Sequence, residues 1–266
     1  MVIDVHHHLP AEWEPYVERL RAEAQRIGID RVVVCTTGVP GQATNEQVAE
    51  AVRAHPDFLL GLGHLRLGED SPREVEHIKS AGLHGLKLIR PRVRYDDDEA
   101  MEIYARAAAH KMPILFHLGI VARSGADAAM DVSIARMRPV YLDRIARRFP
   151  DLPLIGAHFG NPWYEEAAEL ARMHPNVYFD LTGSTLKKKK PDFFRELLWW
   201  ADDPLYGRMG DKTPWQKILF GTDVGPDLME DVMNDYQKLM DGLGLDDANR
   251  QLIWGGNAAQ VFGIVQ

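Results

Sequence analysis

The chain has 266 residues, 45% of them apolar and 26% charged, an ordinary globular composition that excludes disordered and collagen-like classes. Lys plus Arg number 31 against 39 Asp plus Glu, a formal net charge of −8, which argues against a nucleic-acid partner. No apolar run approaches a membrane span and the N-terminus carries no basic region with a long apolar stretch. The single cysteine, Cys35, permits no intrachain disulfide and suits a reducing compartment, so the sequence reads as a soluble cytoplasmic protein without a membrane partner.

The first segment, VIDVHHH (2–8), is apolar and β-branched before a polar end and reads as a strand covered on both faces. An amphipathic helix follows from about Glu12 to Arg26, with Val17, Leu20, Ala24 and Ile27 at helical spacing. The pattern then repeats. Strand-like runs are RVVVCTT (31–37, with Cys35 as a small core residue), FLLGLGHL (58–65), GLKLI (85–89), PILFHLG (113–119), PLIGAHF (153–159), VYFDLTG (177–183) and KILFGTD (217–223). Helical stretches alternate with them at about 44–54, 72–81, 97–110, 138–148, 162–173, 191–201 and 227–241. His55-Pro56, Phe149-Pro150 and His174-Pro175 stop helices, because the residue before proline resists the α region.

Eight strand–helix units predict one α/β domain over residues 1–266, a (β/α)₈ TIM barrel. An open doubly wound sheet would want a glycine-rich loop after the first strand, where HHHLPAEWE stands instead. The longest irregular pieces are expected at 120–137, 184–191 and 202–216. Lys187 to Lys190, in the second, read either as a solvated loop or as a flap that draws in an anionic substrate.

Polar residues fall late in the strands: His6 and His8, His64, His117, His158, Asp180 and Asp223. Barrel active sites are built at that end. Period-two alternation puts His6 and His8 on one face and His7 elsewhere, so the pair can hold one cation. His117 reads as a third ligand or a structural histidine. Asp223 reads as a carboxylate ligand, a base, or an N-cap for the next helix. Three nitrogens and one oxygen suit zinc, with manganese, iron or cobalt as other divalent choices. His158 is the candidate acid/base, since histidine titrates near neutral pH; second-metal ligation or a supporting role are its alternatives.

IDVHHH, GLHGLKLIRP, PILFHLG, DLPLIGAHFGNPWYEEAAELA, NVYFDLTGS, ILFGTD and GGNAAQVFG occur in this order along nearly the whole chain. The set resembles the amidohydrolase superfamily, in its amidohydrolase-related branch, which includes 2-amino-3-carboxymuconate-semialdehyde decarboxylase. The resemblance implies metal ligands at His6, His8, His117 and Asp223, with His158 acting on water or substrate. It also implies one divalent metal; a second, bridged by carboxylated Lys87, belongs to other branches. Lys87 is otherwise a substrate anchor or a buried structural cation. Barrels of this kind are often homodimers or larger.

On the substrate side, Arg90, Arg92 and Arg94 follow strand 4 and suit a carboxylate, unless Asp96 to Asp98 pair with them. Arg123 is a further candidate, and Trp163 and Tyr164 either wall the pocket or pack the next helix. The expected reaction is hydrolysis of an ester, lactone or amide of a small, anionic substrate by metal-activated water, with His158 and Asp223 handling the proton. Non-oxidative decarboxylation or C–C cleavage uses the same residues. A barrel that binds metal or ligand without turnover is the non-enzymatic alternative.

Overall fold

In the computed structural model, which describes residues 1–202 and 213–264, eight parallel strands stand in sequence order around a barrel. They are β1 (Ile3–His8), β2 (Arg31–Cys35), β3 (Leu59–Leu65), β4 (Gly85–Leu88), β5 (Ile114–Phe116), β6 (Leu154–Gly156), β7 (Val177–Asp180) and β8 (Ile218–Leu219). The Val5 amide donates to the Phe220 carbonyl at 3.0 Å and the Asp223 amide to the His6 carbonyl at 2.7 Å, joining the last strand to the first.

Outside lie α1 (Trp13–Ile27), α2 (Asn45–Ala54), α3 (Glu74–Ser80), α4 (Met101–Ala109), α5 (Leu142–Arg148), α6 (Tyr164–Met173), α7 (Ser184–Lys188), α8 (Pro191–Leu197) and α9 (Met229–Leu243). Two short helices, α10 (Asp247–Gln251) and α11 (Asn257–Phe262), follow the last strand. The apolar stripe of α1 buries Val17, Leu20 and Ala24 as its spacing requires, while Ile27 is partly buried. Among the described residues no helix is long and apolar enough to cross a membrane. Most of the expected irregular piece 202–216, residues 203–212, lies outside the described residues.

Each strand sends alternate residues to two cores. Val32, Val34, Leu86, Leu88, Ile114, Phe116, Val177 and Phe179 face the helices. Ile3, Val5, Val33, Leu60, Leu62, Leu115, Ile155, Tyr178 and Leu219 fill the interior, together with Ala258, Ala259 and Val261 of α11. Asn257 anchors that helix, donating from Nδ2 to the carbonyls of Trp215 at 2.7 Å and Ile218 at 2.8 Å. Continuing each interior series by two residues toward the strand's C-terminal end reaches Cys35, His64, His117, Asp180 and, in two steps, Asp223. The interior is therefore apolar below and polar above.

The first strand departs from strict alternation. Asp4 pairs with Val32 but His7 with Val34, so β1 carries one extra residue. That bulge shifts the phase between Val5 and His6. Ile3 and Val5 face the interior below it; above it His6 and His8 do so, and His7 faces α1, 2.8 Å from the Tyr16 hydroxyl.

Candidate metal centre

Two of the segments expected as strands, 153–159 and 217–223, end early and turn. His158 lies in a 3₁₀ turn (Ala157–Gly160) beyond β6, with φ 61°, and Asp223 lies beyond β8 with φ 52°. Arg90, beyond β4, has φ 51°. Non-glycine residues adopt this left-handed region at a cost, and here it aims three polar side chains at one place. Gly119, after β5, answers a different need: a Cβ there would lie 1.7 Å from the Asn161 carbonyl oxygen, so only glycine lets these two loops meet.

His6 is fully buried, and its Nδ1 lies 3.0 Å from Asp180 Oδ2. A carboxylate only accepts, so Nδ1 carries the hydrogen and Nε2 offers a lone pair. His117 Nε2 lies 3.1 Å from the Ile120 carbonyl, which leaves Nδ1 as its lone pair. His158 Nδ1 lies 2.7 Å from Thr182 Oγ1, itself 2.6 Å from Asp180 Oδ1, so His158 Nε2 is free. His8 Nδ1 faces Cys35 Sγ at 3.5 Å, and its Nε2 lies 3.1 Å from Asp223 Oδ1. The inward atoms are close: His158 Nε2 is 3.3 Å from His117 Nδ1, Asp223 Oδ1 is 3.6 Å from His6 Nε2, and Asp223 Oδ2 is 3.9 Å from His158 Nε2.

Electrostatics follow from this crowding. Burial, aided by Lys87, lowers the His6 pKa to about 4 in spite of Asp223 and Asp180. Burial opposes charge on His8 as well, but Cys35 and Asp223 outweigh it and raise the pKa to about 9. Burial, with His158 and Lys87, holds His117 well below the ordinary histidine value. The carboxyl of Asp223 lies well below its usual range because His6 and His8 overcome its burial, and Asp180 is depressed likewise through His6. Both are carboxylates at neutral pH.

The donor set fits a divalent cation. Outward ring nitrogens of His6 and His117 are held by oxygen acceptors and that of His8 faces sulfur, so three ring nitrogens and a carboxylate converge on one point, where a cation would displace the Lys87 contact to His6 and the proton between His8 and Asp223. A carboxylate behind a ligating histidine, as Asp180 behind His6, is the usual means of fixing such a ring.

A cleft of about 460 Å³ opens above these groups. His8, His117, His158 and Asp223 line it, with Val39, Ile89, Ile120 and Val121 as apolar wall and Asn161, Ser184 and Lys188 on the far side. Arg90 also lines it; the residue is 7% exposed, and its Nε and Nη1 are buried with no hydrogen-bond partner. Burial lowers its pKa, opposed by Asp127. Lys87 lies at the centre, fully buried, with Nζ 2.9 Å from His6 Nε2.

Two expected substrate contacts stand elsewhere. Trp163 is not among the side chains lining the cleft; it precedes α6 and stacks under the Arg138 guanidinium. Arg92 is likewise absent from the lining and pairs with Glu69 at 2.9 Å. Arg94 pairs with Asp96 and lies over the Tyr141 ring. In the lysine run, Lys187 meets Asp235 at 3.7 Å and Lys189 covers Tyr164 and Phe193, while Lys188 reaches the cleft. No motif in the sequence marks Thr182 or Asn161 for a role, and Cys35 stands in an apolar run. Spacing is the one signal for Thr182: two residues past Asp180, it continues the same face.

A sequence model of the amidohydrolase family matches residues 3–264. The chain belongs to the amidohydrolase family. It is thus an enzyme of a metal-dependent family that includes hydrolases and decarboxylases. No curated protein sequence matches this amidohydrolase. Among solved structures it is similar to an uncharacterised TIM-barrel protein from Bordetella bronchiseptica, with 21% identity, 98% of each chain covered and a TM-score of 0.74. It is similar to a probable 2-pyrone-4,6-dicarboxylic acid hydrolase from Acinetobacter baumannii, solved with citric acid, at 14% identity, 99% of each chain and TM-score 0.66. It is also similar to a dihydroxybenzoic acid decarboxylase from Polaromonas sp., solved with manganese and 2-nitroresorcinol, at 17% identity, 99% of this chain, 97% of the other and TM-score 0.66. At these identities the likeness shows a shared fold.

Proposed function

We propose that this amidohydrolase hydrolyses an ester, lactone or amide bond in a small carboxylated substrate, using one divalent metal, zinc by preference, held by His6, His8, His117 and Asp223. The observation that carries the reading is the meeting of those inward-facing donors with an unpartnered, buried Arg90 in one cleft. When bound, the cation would supply Lewis acidity, polarising a carbonyl and lowering the pKa of a water toward about 7.

The chain's own groups do the rest. Arg90 presents free N–H donors to a substrate carboxylate, a pairing guanidinium makes in bidentate form. Lys188 adds positive charge at the rim. Val39, Ile89, Ile120 and Val121 give the substrate an apolar wall. As water oxygen bonds to the carbonyl carbon, its proton passes to His158 Nε2, which faces Asp223 Oδ2. His158 then returns that proton to the departing oxygen or nitrogen as the C–O or C–N bond breaks. Throughout, Nδ1–H stays on the Thr182 hydroxyl, which Asp180 holds from behind.

Decarboxylation is the second reading, supported by the likeness to the manganese-containing decarboxylase. There His158 would protonate the carbon that loses carbon dioxide. Incubating metal-loaded protein with small lactones and carboxylated aromatics, and weighing the products, separates the two. A product heavier by one water supports hydrolysis; one lighter by carbon dioxide selects decarboxylation. The lone buried thiol at Cys35 is consistent with a cytoplasmic setting.

A further inference from the structure

A histidine that moves a proton is useful only if the hydrogen it holds at rest is on the other nitrogen. For His158 that choice is made behind the ring. Nδ1 lies 2.7 Å from Thr182 Oγ1 and 3.4 Å from the Thr182 carbonyl. The Thr182 hydroxyl lies 2.6 Å from Asp180 Oδ1, which can only accept, so the hydroxyl turns its lone pair to His158. Asp180 Oδ1 also accepts from the His158 amide at 2.9 Å and the Thr182 amide at 3.0 Å. Its other oxygen receives His6 Nδ1 at 3.0 Å. Asp180 and Thr182 are both fully buried.

One carboxylate therefore stands behind two histidines with different tasks. It touches His6 directly, and it reaches the His158 ring only through the Thr182 hydroxyl. The competing arrangement is also visible. A hydrogen on His158 Nε2 would point at His117 Nδ1, 3.3 Å away, and tie up both inward lone pairs.

We propose that Thr182 is the positioning residue that sets the tautomer of His158, with Asp180 as the anchor it shares with His6, so that Thr182 governs proton transfer without governing metal binding. Its catalytic consequence rests on His158 being the proton carrier; the tautomer itself does not.

The test needs no substrate. Protein carrying ¹⁵N-histidine is examined by long-range ¹H–¹⁵N correlation, metal-free and loaded with zinc, with His158 assigned from His158→Gln. Zinc affinity is measured by titration for wild type, Thr182→Val, Thr182→Ser and Asp180→Asn. Wild type is expected in the Nδ1–H form. Thr182→Val, which keeps the shape and loses the hydroxyl, should populate Nε2–H, and Thr182→Ser should restore Nδ1–H. Zinc affinity should be unchanged in both threonine variants and fall about 10–100-fold in Asp180→Asn, the usual loss when the group behind a ligand is removed.

An Nε2–H resting form in wild type overturns the proposal without any variant, so a Thr182→Val protein that fails to fold does not shelter it. So does a Thr182→Val spectrum like that of wild type, or a zinc loss in Thr182→Val equal to that in Asp180→Asn. If wild type binds no zinc, the metalloenzyme reading fails instead, while the metal-free spectra still decide the tautomer.

Discussion

Lys87 Nζ lies 2.9 Å from His6 Nε2, the same lone pair that His6 would give to a metal. One lone pair cannot serve both. Lys87→Met keeps the length of the buried side chain and removes the donor and its charge. Metal affinity should rise by about tenfold, since a like charge a few ångströms away costs on that order in a partly buried site. Stoichiometry should stay at one equivalent. If Lys87 were instead a carboxylated bridge, elemental analysis would show two equivalents in wild type and fewer in the variant.

The ligand set makes a second expectation. His117 is held by the Ile120 carbonyl through Nε2 and gives Nδ1 to the cluster. His117→Ala should cut zinc or manganese occupancy severely, and Asp223→Asn should do the same while leaving the histidines in place. Full occupancy in His117→Ala, measured by plasma mass spectrometry after dialysis, removes His117 from the ligand set.

The strands, their order and the gathering of most of the polar cluster were legible because two periodicities are simple. Apolar runs of a few residues alternating with helical stripes gave the barrel, and period two placed His6 beside His8. What stayed hidden depends on geometry through space. The bulge between Asp4 and His7 lets His6 face inward although Val5 does too, and no local pattern announces it. The left-handed turns at His158 and Asp223 shorten strands that read as continuous, and the one at Arg90 turns the chain just past β4. Asp180 stood out only as a late carboxylate; its several partners come from β1, the turn after β6 and its own neighbour Thr182. Trp163 and Arg92 were drawn to the cleft by position alone, but Arg138 and Glu69 claim them.

His64 offers a pH test of the polar upper layer. Burial first, then Lys87, Arg66 and Arg90, lower its pKa to about 4. The unfolded chain takes up the proton near pH 6.5, whereas the folded protein resists until about pH 4. Between those values the unfolded state binds more protons, so stability falls as pH falls. The contribution is fully present above about pH 6.5, and on the order of 3 kcal/mol is lost by about pH 4. Denaturant unfolding of metal-free wild type and His64→Gln across this window should show the gap between them narrowing toward acid. A constant gap would mean that His64 charges freely in the fold.

Arg90 and Arg92 are two residues apart in sequence and make the sharpest contrast for substrate recognition. Arg90 is buried, lines the cleft and has two unpartnered nitrogens; Arg92 is partly exposed and already paired with Glu69. A guanidinium kept without a protein partner in a low-dielectric wall is costly unless an anion arrives. Arg90→Met should therefore weaken a carboxylated substrate by about 2–3 kcal/mol, a 30- to 150-fold loss in kcat/KM that falls mainly on KM. A neutral ester analogue should lose little, because it never used the charge. The variant protein should be no less stable than wild type, and Arg92→Met should change neither constant beyond about twofold, as exposed ion pairs contribute little. Equal losses for carboxylated and neutral substrates would show that Arg90 shapes the loop after β4 instead of holding the anion.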